Sequence, residues 1–112
     1  MNDLFYTLLV TVTIYHADPK QTDDTPFITA SNKTIDSINP AMHRWIAVSR
    51  DLEPLGFTFG ACVYIKGINK ELDGEWEVQD RMNKRWKKRI DLLVNKDRMC
   101  CKWDSIKLTL LK

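Results

Sequence analysis

The chain has 112 residues, too few for two hydrophobic cores, so it is read as a single domain, residues 1–112. Hydrophobic residues make up 44% and charged residues 29%, the balance of an ordinary globular chain rather than of a disordered or fibrous one. A net charge of +2 gives no global attraction to nucleic acid, so any electrostatic preference must sit in a local patch.

The apolar run Leu4 to Ile14 is interrupted by Thr7, Thr11 and Thr13. It is too short and too polar for a bilayer, so no membrane span is expected. Asp3 stands where a signal peptide carries positive charge, and no small-residue cleavage site follows cleanly, so no signal peptide is read. Val10, Val12 and Ile14 alternate with Thr11, Thr13 and Tyr15, which predicts a first strand over Leu8 to Tyr15. Ala17 to Pro26 is rich in Asp, Thr, Pro and Gln and reads as a loop.

A short extended piece follows at Phe27 to Ala30, then a polar connection from Ser31 to Met42. Trp45 to Val48 is a compact strand signal. Pro54, Gly56 and Gly60 turn the chain before a strand at Ala61 to Lys66. Asp73-Gly74 closes a hairpin loop. Glu75 to Asp80, Arg89 to Val94 and Ser105 to Leu111 are the remaining strands. Short strands with turn signals between them imply an all-β barrel or sandwich.

Cys62, Cys100 and Cys101 are odd in number and lack C-x-x-C spacing, which argues against a disulfide framework and against a zinc site. They are read as reduced, partly buried thiols. His16 and His43 have no ligand spacing, so no metal and no other cofactor is expected.

The informative stretch is Trp76 to Val94. Asp80 and Asp91 each sit at the edge of a short apolar segment, with a basic run between them. A carboxylate in an apolar strand is costly to bury, so the two are a candidate acid/base pair. Met82, Trp86, Ile90 and Leu93 also fit helical spacing. In a helix the aspartates would lie about 16 Å apart and could not serve one bond. In a loop joining two strands they could converge. Periodicity leaves both open.

Thr11-Val12-Thr13-Ile14-Tyr15, Ile28-Thr29-Ala30-Ser31, Trp45-Ile46-Ala47-Val48 with Leu55-Gly56, Val63-Tyr64-Ile65, Val78-Gln79-Asp80 and Arg89-Ile90-Asp91-Leu92 follow one another in a familiar order. In that order and spacing, from about Val10 to Leu111, the chain resembles the three-aspartate (3D) group of double-psi β-barrel domains. These are similar to the catalytic domain of membrane-bound lytic transglycosylase A, and more distantly to rare lipoprotein A and the expansins. Two positions depart from the family pattern. Ser49 stands where an aspartate or histidine is common, with Asp51 two residues on, and Arg81 to Trp86 replaces a glycine-rich stretch.

The resemblance implies a six-stranded double-psi β-barrel with short helical or loop insertions. It implies lytic cleavage of the β-1,4 bond between N-acetylmuramic acid and N-acetylglucosamine in peptidoglycan. One carboxylic acid protonates the leaving oxygen, and the resulting carboxylate takes the proton of the muramoyl 6-hydroxyl as a 1,6-anhydro ring closes. Asp91 is the expected acid/base, because Ile90 and Leu92 flank it, and Asp80 its modulator. Arg81 and Arg89 act in the opposite sense, as adjacent cations.

Tyr15, Asp24, Thr29, Ser49, Arg81 and Trp86 are the candidate substrate-binding residues, with Trp86 as an exposed sugar platform and Trp45 and Trp76 as core residues. The basic cluster from Arg81 to Arg89 reads as a solvated face, as an attractor of the anionic peptides of peptidoglycan or, least in keeping with the net charge, as a nucleic-acid contact. The expected partner is therefore the peptidoglycan glycan strand, not nucleic acid, in a cell-envelope or phage-associated setting. The rival expectation is a non-catalytic wall-binding or structural barrel, such as a phage particle component.

Overall fold

The computed structural model describes residues 6–17, 27–98 and 101–111. Six strands close into a barrel: β1 (Tyr6–Tyr15), β2 (Trp45–Val48), β3 (Cys62–Lys66), β4 (Gly74–Arg81), β5 (Arg89–Leu93) and β6 (Trp103–Leu110). Two 3-10 turns, Pro40–His43 and Arg50–Leu55, are the helical insertions. Among the described residues no helix is long and apolar enough to cross a membrane.

Period-two alternation builds the interior. Val10 and Val12 of β1, Ile46 and Val48 of β2, Val63 and Ile65 of β3, Trp76 and Val78 of β4, Ile90 and Leu92 of β5, and Ile106 and Leu108 of β6 share one buried cluster. Each fully buried aliphatic side chain contributes roughly 1.5–3 kcal/mol from removal of its surface from water. The Trp76 indole N–H donates to the Leu72 carbonyl at 2.8 Å, so this core tryptophan leaves no orphan donor.

The order around the barrel is β1-β5-β2-β4-β3-β6. β1 pairs in parallel with β5, and β2 with β4, while the other neighbours are antiparallel. β5 therefore lies between β1 and β2, and β2 lies between β4 and β5. Within each half of the chain consecutive strands are split by a strand from the other half, while β3 and β4, at the junction of the halves, pair directly, which is the double-psi arrangement.

The ambiguous segment after Asp80 is not a helix. β4 ends at Arg81, β5 starts at Arg89, and a loop joins them. The helical spacing fails because its apolar residues face two ways. Ile90 enters the barrel interior, whereas Met82, Trp86 and Leu93 join a second cluster outside it, with Tyr15, Ala17, Ile35 and Ala47. The extended piece expected near Phe27 is only a bridge, Ile28 to Thr34, inside a tight loop. The cysteine expectation also needs correction: Cys62 is an exposed free thiol, and Cys101 is disulfide-bonded.

Gly56 ends the second 3-10 turn at φ +112°, a region that penalises a Cβ, and an added Cβ would lie 2.6 Å from Leu110 Cδ2. Gly56→Ala is expected to destabilise the barrel by roughly 2 kcal/mol through strain and overpacking combined. Gly60→Ala, also at positive φ but with open space around it, should cost only about 1 kcal/mol. Urea denaturation of both variants checks this, and equal midpoints would refute the packing argument.

Candidate active site

A single register row crosses four strands on the outer face of the barrel. Thr13 of β1 pairs with Asp91 of β5, Asp91 with Ala47 of β2, and Ala47 with Asp80 of β4. Two strand spacings separate the aspartate backbones, about 10 Å. The pair thus shares one face, with the smallest side chain of the row between them.

A bulge sets this arrangement. Ile46 pairs with Val78, but Ala47 pairs with Asp80, so Gln79 is the extra residue of β4. Trp76 and Val78 point inward, and simple alternation would send Asp80 inward after them. The bulge re-aims it outward.

Asp91 sits between two interior side chains, Ile90 and Leu92, yet faces out beside the second cluster. Its carboxyl accepts a hydrogen bond from the Thr13 hydroxyl. Burial raises its pKa above 3.8; the Thr13 bond and the Arg89 charge pull it back, and Asp80 pushes it further up. Its second oxygen has no partner among the described residues.

Asp80 is engaged on both oxygens. Oδ1 accepts from the backbone N–H of Ala30 at 3.1 Å and of Arg81 at 3.0 Å, and Oδ2 accepts from the Tyr15 hydroxyl at 3.3 Å. The loop that supplies Ala30 is latched to the bulge: Ser31 N–H donates to the Gln79 carbonyl at 3.2 Å and the Ser31 hydroxyl to Gln79 Oε1 at 2.5 Å. The sequence run Thr29-Ala30-Ser31 and the run Val78-Gln79-Asp80 are therefore one structural unit. Tyr15 spans the outer cluster to reach Asp80. Burial, then the Asp80 charge and hydrogen bond, hold its phenol well above the usual range and hence neutral.

Several expected ligand-facing residues have other duties. Tyr15 is buried in the outer cluster and is no sugar platform. Thr29 is 4% exposed, accepts from Lys33 N–H at 2.9 Å and bonds to the Ser31 hydroxyl. Ser49 is fully buried, and its hydroxyl accepts from Arg89 N–H at 3.0 Å, so it does not replace an acid in the row. Asp51, two residues on, accepts from Lys88 N–H at 2.9 Å. Arg81 pairs with Glu53 at 2.9 Å and lies over Phe59, so its guanidinium is not the partner of Asp80. Trp86 is half-buried, with the guanidinium carbons of Arg89 and Arg85 at 4.1 and 4.8 Å from its ring centre, which corrects the reading of a bare platform. Trp45 is half-buried against the outer cluster and stacks on His43 at 3.9 Å. Asp24 lies outside the described residues.

Sequence reasoning missed Thr13, Ala47 and Gln79. Thr13 was legible as an outward residue of β1, but its contact with Asp91 depends on strand pairing. A cleft of about 690 Å³ opens elsewhere, where β2 and β4 begin and β5 ends, lined by Arg44, Glu71, Trp76, Asn95 and Arg98 among others. Among the described residues no group of three His, Cys, Asp or Glu side chains is placed to hold a metal ion. No family model, curated protein or solved structure matches the chain.

The Asp91 environment has a stability signature. Its native pKa lies above the unfolded value of about 3.8, so the native state keeps the proton where the unfolded state has lost it. Its share of stability is full below that value and falls as pH rises through the native pKa. Asp91→Asn removes the loss, so the variant should melt higher than the wild type near pH 7, with the gap closing toward pH 4. Thermal melts across that range test the sign, and a gap that does not change with pH would contradict it.

Proposed function

We propose that this barrel cleaves peptidoglycan glycan strands as a lytic-transglycosylase-like enzyme, with Asp91 as the single acid/base. The observation that supports this most is the asymmetry of the row. Asp91 has a pKa raised by burial and a second oxygen with no hydrogen-bond partner among the described residues, while both oxygens of Asp80 are already occupied. One carboxyl whose surroundings favour its protonated form, beside one that is already engaged, is what a one-residue acid/base scheme needs.

In this reading Asp91 gives its proton to the glycosidic oxygen as the bond to the N-acetylglucosamine unit breaks. The carboxylate then takes the proton of the muramoyl 6-hydroxyl, whose oxygen closes onto the anomeric carbon. No water enters and the proton balance closes. Thr13 carries one hydroxyl proton with two acceptors in reach, Asp91 and the Ile90 carbonyl at 3.5 Å. It can donate to the carboxylate, or accept from the acid while donating to Ile90. Asp80 acts from two strands away as a fixed negative charge that favours the protonated form of Asp91. The order of strands and motifs that resembles the three-aspartate group agrees with this assignment.

A second reading is a wall-binding or structural barrel without turnover. The observation in its favour is that Asp80 is tied into the Ala30–Ser31 latch and Ser49 is buried, so two of the expected site residues have structural roles.

Purified sacculi separate the two. The wild type should release 1,6-anhydro muropeptides, detected by mass spectrometry, with the rate falling as pH rises through the raised Asp91 pKa. Asp91→Asn should lose about 10²- to 10⁴-fold. Equal product from wild type and Asp91→Asn would remove Asp91 from the chemistry, and intact sacculi that co-sediment with the protein would favour the second reading.

A further inference from the structure

We infer that the loop between β4 and β5 is a preformed anion-binding rim, and that the glycan it serves is one bearing carboxylate groups. This rests on reading the aspartate row as the glycan site. Six of the seventeen Lys and Arg residues and none of the fifteen acids fall between Arg81 and Arg89. The loop is thus +6, and the rest of the chain is −4. The near-neutral total conceals a local positive field on an otherwise acidic molecule.

Six like charges in nine residues repel one another, yet the loop is pinned at several points. Met82 is buried in the outer cluster, and its N–H donates to the Val48 carbonyl at 2.8 Å. Asn83 caps the turn through Arg85 N–H at 3.0 Å and Trp86 N–H at 3.1 Å. Trp86 packs against the same cluster. Lys88 is held at φ +48°, an unfavourable region for a side-chain residue, with its N–H on Asp51. Met82 and Trp86 share their cluster with Tyr15, Ala47 and Leu93, so the loop lies over the face that carries the aspartates.

Three cations are committed elsewhere, Arg81 to Glu53, and Arg85 and Arg89 to the Trp86 ring. Lys84, Lys87 and Lys88 are exposed, and among the described residues no hydrogen bond or ion pair holds their ammonium groups. They face solvent on the loop that leads into β5, the strand that carries Asp91.

The row itself selects the kind of anion. A polynucleotide carries a phosphate at every residue and must set some against Asp80 and Asp91. An acidic glycan spaces its carboxylates, so an uncharged ring can lie at Asp91 while an acidic appendage reaches the lysines.

The test compares two β-1,4 glycans, soluble peptidoglycan strands with their carboxylates and uncharged chitooligosaccharides of similar length. The wild type should prefer the acidic strand, and that preference should fade between 50 and 300 mM salt. Lys84→Gln/Lys87→Gln should bind the acidic strand roughly fivefold or more weakly, with a flatter salt response and unchanged chitooligosaccharide affinity. Both lysines are exposed, so a melting curve like that of the wild type confirms that the variant is folded. Equal, salt-independent affinity for the two glycans would overturn the rim, as would tighter binding of single-stranded DNA. Anhydro products made equally well by wild type and double variant at every salt would sink the rim and leave the acid/base reading. Salt-dependent preference without products would keep the rim and sink that reading.

Discussion

The candidate site depends on one irregularity, the bulge at Gln79. A strand of β4's alternation should carry Asp80 into the interior with Trp76 and Val78. An unpaired carboxylate there would cost several kcal/mol or force protonation. One inserted residue turns Asp80 to the outer face and brings it level with Ala47 and Asp91. The bulge is held from outside by Ser31 on Gln79 and Ala30 on Asp80. The loop that carries the threonine-alanine-serine run is therefore part of the site's frame, and Thr29 braces that loop from within.

The same frame gives two identical side chains different surroundings. Asp80 has two backbone N–H donors and a phenol, all from fixed groups. Asp91 has one hydroxyl partner and is flanked by interior side chains. Two carboxyls whose environments differ in this way are what separates a proton-holding group from a fixed charge. Tyr15 couples them, because its ring fills the outer cluster over Ala47 and Leu93 while its hydroxyl reaches Asp80. A larger residue at position 47 would compete with that ring for the same space.

The strands were legible in the sequence because their faces alternate. Trp45 to Val48 is found with the bounds its pattern suggests, and the other strands shift by one or two residues. The site was legible only in its acids. The outward turn of Asp80 could not be read, since Trp76, Val78 and Asp80 keep perfect period-two spacing and the extra residue shows only in the pairing with β2. Tyr15 and Trp86 looked like free aromatic surfaces because their partners are distant in sequence or are themselves charged: Asp80 lies 65 residues from Tyr15, and Arg89 masks Trp86 with a cation. Ser49 looked like a displaced polar ligand because nothing local reveals that the Arg89 backbone consumes its hydroxyl.

The strand order carries an internal two-fold relation: exchanging β1, β2 and β3 with β4, β5 and β6 returns the same neighbours and directions. Within the row, Thr13 exchanges with Asp80, and Ala47 with Asp91. One half thus supplies both carboxyls, and the other supplies, at the matching places, a hydroxyl that bonds to Asp91 and a methyl that leaves room beside it. The bulge between β2 and β4, too, has no counterpart in the matching β1–β5 pairing, which is regular. A symmetric barrel with four acids on this row would face mutual repulsion across neighbouring strands. Breaking the symmetry in chemistry while keeping it in backbone lets two acids share the face and leaves one of them a partner that can give or accept a proton.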